Sequence, residues 1–187
     1  MTQLESNKPT MKIINILLLV LIFAGLDLSA QDSPYKSYKI DNGQLIYQQV
    51  YECDTMKADA ISTMLSSEVP KIKGLKGYYK DGTVITAEFK NAMIDYRMMG
   101  GKWGSTPILL NSPFDANVTI EWKDYKYRVT ISNIVFHSAF GETDLGSLLT
   151  KRKYSMWDNS NGARQVGDFT ERYYTTLFWI SPTKDNW

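Results

Sequence analysis

His137 is the only histidine in the chain, so acid–base or nucleophilic chemistry built on imidazole has a single residue to work with. A nucleophilic triad also needs a positioned serine or cysteine. No serine motif accompanies His137, and Ser132 falls in a stretch that reads as strand. His137 therefore stands as the one catalytic candidate, set against an ordinary role at a strand end. One histidine excludes multi-histidine metal sites, and a single cysteine, Cys53, excludes thiolate clusters and an internal disulfide. Glu142 and Asp144 lack the ordered series of oxygen ligands that a calcium loop requires. Neither a metal nor a cofactor is expected.

Other groups are suggestive in type and weak in spacing. Asp95 and Glu121 could form a carboxylate pair across a sheet, but glycosidase chemistry depends on a separation that sequence does not give. Gly100-Gly101-Lys102 resembles the glycine-lysine part of a phosphate loop, yet Trp103 occupies the place of the hydroxyl residue. Lys151-Arg152-Lys153 is a compact basic patch that suits either a solvated loop or an acidic surface. The aromatic residues are the remaining signal. Trp103 and Trp157 fall in predicted loops, while Tyr125 and Tyr127 fall at and after a predicted hairpin turn. If helices cover one face of a sheet, the other face offers such side chains to a protein, peptide or glycan; the alternative is that they complete the core. Trp103, Tyr125, Tyr127 and Trp157 are the binding candidates.

The elements that position these residues begin with an address. Lys12 precedes an apolar run from Ile13 to Leu26, and Leu28-Ser29-Ala30 ends it with the small residues a signal peptidase accepts. Residues 1–30 read as a signal peptide cleaved near Ala30, with Met11 as an alternative start because Glu5 and Pro9 are unusual in a leader. The run is shorter than the roughly 20 residues of a bilayer span, so no permanent membrane span is expected. No cysteine follows the cleavage site to carry a lipid. The expected location is periplasmic or extracellular. With 21 basic and 20 acidic side chains the formal charge is +1, far from the cationic excess of a dedicated nucleic-acid binder.

Residues 31–42 read as a lead-in, 43–180 as a single domain and 181–187 as a tail. Alternating apolar and β-branched residues predict a strand over 43–53. Met56, Ala60, Ile61, Met64 and Leu65 share one helical face, with Asp54 or Thr55 as cap and Pro70 as stop. Strands are predicted over 72–79 and 84–98, with a bend at Asn91-Ala92. The clearest pair is 116–123 and 126–136, joined at Asp124-Tyr125, where Tyr125 must accept a positive φ. Residues 137–162 show no period and read as a long connection. A terminal helix is predicted from Gly167-Asp168, carrying Phe169, Tyr173, Leu177 and Ile180 on one face.

The order strand, helix, four strands, helix behind a leader resembles a family of exported proteins of unknown function from Bacteroides-type bacteria whose domain has a TATA-binding-protein-like (TBP-like) fold. Two segments carry the likeness: Gly43-Gln44-Leu45-Ile46-Tyr47-Gln48-Gln49-Val50, similar to the family's opening strand, and Ile120 to Ile131, similar to its central hairpin with Lys123-Asp124 at the turn. The chain departs from that pattern in having Tyr125 where the family usually has glycine. The resemblance implies an α+β domain, an antiparallel sheet packed by two helices in the order β-α-β-β-β-β-α, and brings no catalytic residues with it. The function expected is an exported, non-enzymatic binding or envelope-associated module of unknown ligand. The alternative is a secreted hydrolase acting on cell-wall or dietary polymers, with His137 or paired acids as its catalysts.

Overall fold

A computed structural model describes residues 33–102, 104–152 and 154–180; the leader, Trp103, Lys153 and the tail lie outside the described residues. The longest alternating stretches form the centre of a seven-stranded antiparallel sheet. In β5 (Phe114–Lys123), Phe114, Ala116, Val118, Ile120 and Trp122 are buried. In β6 (Lys126–Ser138), Tyr127, Val129, Ile131, Ile134 and Phe136 are buried. Period-two alternation sends these side chains to one face along β5 and along β6 as far as Ile131, and a bulge at Asn133, with φ +53° and a register shift against β5, returns Ile134 and Phe136 to it. β2 (Gln44–Glu52) flanks β6, and β4 (Val84–Ala92) flanks β5. β1 (Tyr38–Asp41) and β3 (Leu75–Asp81) form the two edges, and β7 (Gly141–Asp144) pairs with the far end of β6.

Two helices cover the apolar face. α1 (Ala58–Glu68) contributes Ile61 and Leu65 to the core. α3 (Asn161–Leu177) contributes Val166, Tyr173 and Tyr174. The Tyr174 ring packs on Tyr47 of β2, Phe89 of β4 and Phe114 of β5, with centroids 5.4, 6.3 and 5.9 Å away. One aromatic side chain thus ties the helix to three strands, at separations typical of favourable ring pairs.

The α+β class and the core order β-α-β-β-β-β-α stand as predicted, with additions and corrections at their margins. Residues 31–42 are not only a lead-in: Tyr38 and Ile40 pair with Tyr47 and Leu45 to form β1. Residues 137–162 are not an unstructured connection. They hold the end of β6, β7, the short helix α2 (Leu145–Leu149), and the small hairpin of β8 (Thr150–Lys151) and β9 (Met156–Trp157). The terminal helix starts at Asn161, six positions before Gly167, because Ser160 caps it by accepting from the Ala163 backbone N–H. Neither Asp54 nor Thr55 caps α1. That role falls to Asp124 in the β5–β6 turn, whose Oδ1 accepts from the Ala58 N–H at 2.8 Å.

The bend expected at Asn91-Ala92 is present: Asn91 has φ +55° and the β4–β5 register shifts between Phe89 and Ala92. β4 ends there rather than at residue 98, and residues 93–113 run outside the sheet. Gly101 holds the first turn of this excursion. A Cβ there would stand 2.8 Å from the Tyr96 carbonyl oxygen and 2.9 Å from its ring, so only glycine fits.

Candidate functional site

A concavity of roughly 590 Å³ opens where the excursion after β4 meets the C-terminal half of α3. Its position follows from the bulge at Asn91, which takes the chain off the sheet beside the helix. Ile94, Tyr96 and Tyr173 are buried beneath it. Methionines make its walls: Met93 is 52 % exposed and Met98 68 %. Asp95 Oδ1 accepts from the backbone N–H groups of Arg97 and Met98 at 3.2 and 3.3 Å, a local turn that directs Met98 outward. Tyr173 donates its hydroxyl to the Met93 carbonyl at 3.3 Å, fixing the excursion to α3. Burial first, then the nearby Asp95 charge, pushes the Tyr173 hydroxyl up to about 12, so it stays a neutral donor.

The groove also carries charge. Lys73 and Arg97 line it, and among the described residues neither makes an ion pair. An apolar hollow with a few charged groups at its rim matches the general make-up of binding sites, and its volume lies within their usual range.

The uncovered face of the sheet differs from the surface that the aromatic residues suggested. Across the strands the register aligns Gln48, Thr130, Thr119, Thr86 and Tyr79. The next row holds Val50, Arg128, Glu121 and Val84, where Arg128 Nη2 and Nε both donate to Glu121 Oε2, at 2.7 and 3.1 Å. This face is polar and largely self-paired. A smaller hollow of roughly 340 Å³ near the β5–β6 turn, lined in part by Val50, Lys123 and Arg128, shares that ion pair.

The four aromatic candidates separate. Tyr127 is a core residue, because alternation puts it on the same face as Val129 and Ile131. It stacks on Tyr51 at 4.9 Å and donates to the Phe178 carbonyl at 2.7 Å. Trp157 sits in β9 and is also buried, edge-on to Tyr35 at 5.5 Å. Both are packed into the core rather than standing free on the surface, although Tyr127 also lines the smaller hollow near the β5–β6 turn. Tyr125 is 42 % exposed with φ +70°, and Lys57 Nζ lies 4.5 Å from its ring centroid. Trp103 lies outside the described residues. Sequence reasoning passed over Met93, Met98, Lys73 and Arg97; the available signal was the clustering of Met93, Met98 and Met99 beside a glycine pair.

His137 sits at the end of β6 between two carboxylates, with Nε2 3.4 Å from Asp115 Oδ2 and Nδ1 3.4 Å from Glu142 Oε1. Asp115 also meets Lys90 Nζ at 3.1 Å and accepts from the Asn91 N–H at 2.8 Å. That backbone bond, with Lys90 and His137 adding to it, holds the Asp115 carboxyl below its ordinary range. Among the described residues no hydroxyl or thiol is hydrogen-bonded to either ring nitrogen, and the imidazole bridges carboxylates of β5 and β7. Cys53 is buried, and burial pushes its thiol up, away from the reactive thiolate. No group of three or more His, Cys, Asp or Glu among the described residues is placed to hold a metal ion. No helix among them is long and apolar enough to cross a membrane.

Two solved structures resemble this chain. A TBP-like protein from Parabacteroides distasonis shares 12 % identity over 76 % of this chain and 96 % of its own, with a TM-score of 0.54. A DUF4468 family protein from Bacteroides ovatus shares 10 % over 79 % of this chain and 94 % of its own, with a TM-score of 0.46. No protein-family model matches the chain, and no curated protein does. The fold is therefore TBP-like, in agreement with the resemblance carried by the opening strand and central hairpin. At these identities the likeness defines fold alone.

Proposed function

We propose that the chain is an exported, non-enzymatic binding or envelope-associated module whose contact surface is the methionine-walled groove between residues 93–99 and α3. One observation carries the reading: exposed Met93 and Met98 stand over a buried apolar floor, beside two cations without ion-pair partners among the described residues. Apolar side chains held open to water at a concavity are stabilised when a partner covers them. The leader over residues 1–30 supports delivery beyond the inner membrane, to the periplasm or outside the cell. Nucleic acid is not favoured, since the formal charge is only +1 and Arg128 on the uncovered sheet face is engaged by Glu121.

The hydrolase alternative draws on the carboxylates flanking His137. A general base between two acids has the right chemistry, but among the described residues no serine, threonine or cysteine side chain is hydrogen-bonded to the ring. A panel of polysaccharide, ester and peptide substrates decides between the two readings. The binding module turns over none of them. Hydrolysis that His137→Ala abolishes while the protein stays folded would replace it with the enzyme. Fractionation tests export: the account expects a product beginning at Gln31 outside the cytoplasm, and an intact leader on cytosolic protein contradicts it.

A further inference from the structure

We propose that the groove takes an acidic, apolar peptide segment, one that lays leucine-sized side chains against Met93, Met98 and Leu177 and sets a carboxylate against Lys73 or Arg97. This rests on the binding-module reading and adds the chemistry of the partner.

Three features of the site select that chemistry. Methionine is unbranched and polarisable, so walls made of it re-pack around apolar anchors of differing shape, as suits a peptide side chain. The cations select the sign: Asp95 is the acidic residue lining the groove, and its carboxylate is engaged by the Arg97 and Met98 backbone amides, while Lys73 and Arg97 keep their charge for an incoming acid. The exposure of Met93 and Met98 favours a peptide over a fatty acid. An acyl chain lying in so open a groove keeps one side wet, whereas a peptide turns its polar backbone to the water and its side chains to the floor.

The test uses purified protein and fluorescein-labelled peptides of alternating Glu and Leu, alternating Lys and Leu, and alternating Glu and Ser. Fluorescence anisotropy reads binding, and the methyl resonances of Met93, Met98 and Met99 report its location. The Glu–Leu peptide is expected to bind and move those three methyls, at least about tenfold more tightly than either control, with affinity falling as salt rises. The double variant Lys73→Glu, Arg97→Glu changes two exposed side chains and should reverse the preference toward Lys–Leu. Equal binding of Glu–Leu and Lys–Leu, or an unchanged preference in the variant, overturns the proposed acidity while leaving the groove as a site. Dodecanoate moving the methyls where the Glu–Leu peptide does not would overturn the peptide in favour of a lipid. If neither the peptides nor dodecanoate move them, both the proposal and the reading of the groove as a contact surface fail.

Discussion

Asp124 and Ala58 are joined across the fold: the carboxylate in the β5–β6 turn accepts from the first backbone N–H of α1 at 2.8 Å. The same turn holds the segment before the helix twice more, through Cys53 N–H to Tyr125 O at 2.6 Å and Tyr125 N–H to Met56 O at 2.9 Å. A hairpin turn thus supplies the helix cap that the local sequence does not, and the strained φ of Tyr125 is held by those two backbone bonds.

Asp124→Ala should therefore lower the thermal midpoint, and Asp124→Asn, which keeps an acceptor, should lower it less. The Ala58 N–H, and then Lys57, hold the Asp124 carboxyl below its ordinary range. A depressed folded value means that this contribution is complete above the unfolded carboxylate pKa and is lost as pH falls through the folded one. The difference between wild type and Asp124→Ala should shrink on acidification in that window; a difference that grows there contradicts the assignment.

Tyr174 and Tyr38 give an opposed pair. Both are buried, but the Tyr38 hydroxyl donates to Thr170 Oγ1 at 2.8 Å, while the Tyr174 hydroxyl has no hydrogen-bond partner among the described residues. A satisfied buried hydroxyl is worth about 1 kcal/mol, and an unsatisfied one is a cost of similar size. Chemical denaturation should show Tyr38→Phe destabilised by about 1 kcal/mol and Tyr174→Phe unchanged or more stable.

Tyr127→Phe should cost about 1–3 kcal/mol, because the hydroxyl that donates to the Phe178 carbonyl also accepts from the Ile180 N–H at 3.0 Å. Amide exchange at Ile180 is the direct readout: faster exchange in the variant is expected, and unchanged exchange would mean the bond does not hold the end of α3.

Gly167→Ala sets two effects against each other. Alanine in a helix interior normally gains about 1 kcal/mol over glycine. Here the added methyl would collide with the Tyr35 ring, which lies on the helix at Gly167 and bonds the Ala163 carbonyl at 3.2 Å. Overpacking costs roughly 1–3 kcal/mol, so sterics should win and the variant should unfold at lower denaturant; a stabilised variant would show that Tyr35 can move aside.

Where alternation ran long, the sequence was readable. Tyr127, Val129 and Ile131 against Val118, Ile120 and Trp122 declared the central hairpin, and a two-residue turn at Asp124-Tyr125 demanded the positive φ that Tyr125 adopts. Short elements were not readable. β8 and β9 are two residues each, too few for any period, and β1 sits among charged neighbours that mask the Tyr38, Ile40 alternation. The start of α3 was hidden because Asn161, Gly162 and Arg164 carry no apolar stripe. The same alternation that placed Val129 and Ile131 in the core also placed Tyr127 there, so its burial was legible from the pattern itself. The groove was out of reach, since it exists only because α3 returns beside the end of β4, some seventy to eighty positions earlier in the chain, as the Tyr173–Met93 bond shows.

If the methionine-walled groove is the contact surface, site-specific photo-crosslinking in the cells that make the protein will trap a partner there. A crosslinking residue at Met98 should give a discrete adduct. The same residue at Phe140, which is 93 % exposed on the β6–β7 turn and outside the groove, should give none. Adducts of equal yield from both positions, or from Phe140 alone, would contradict the account.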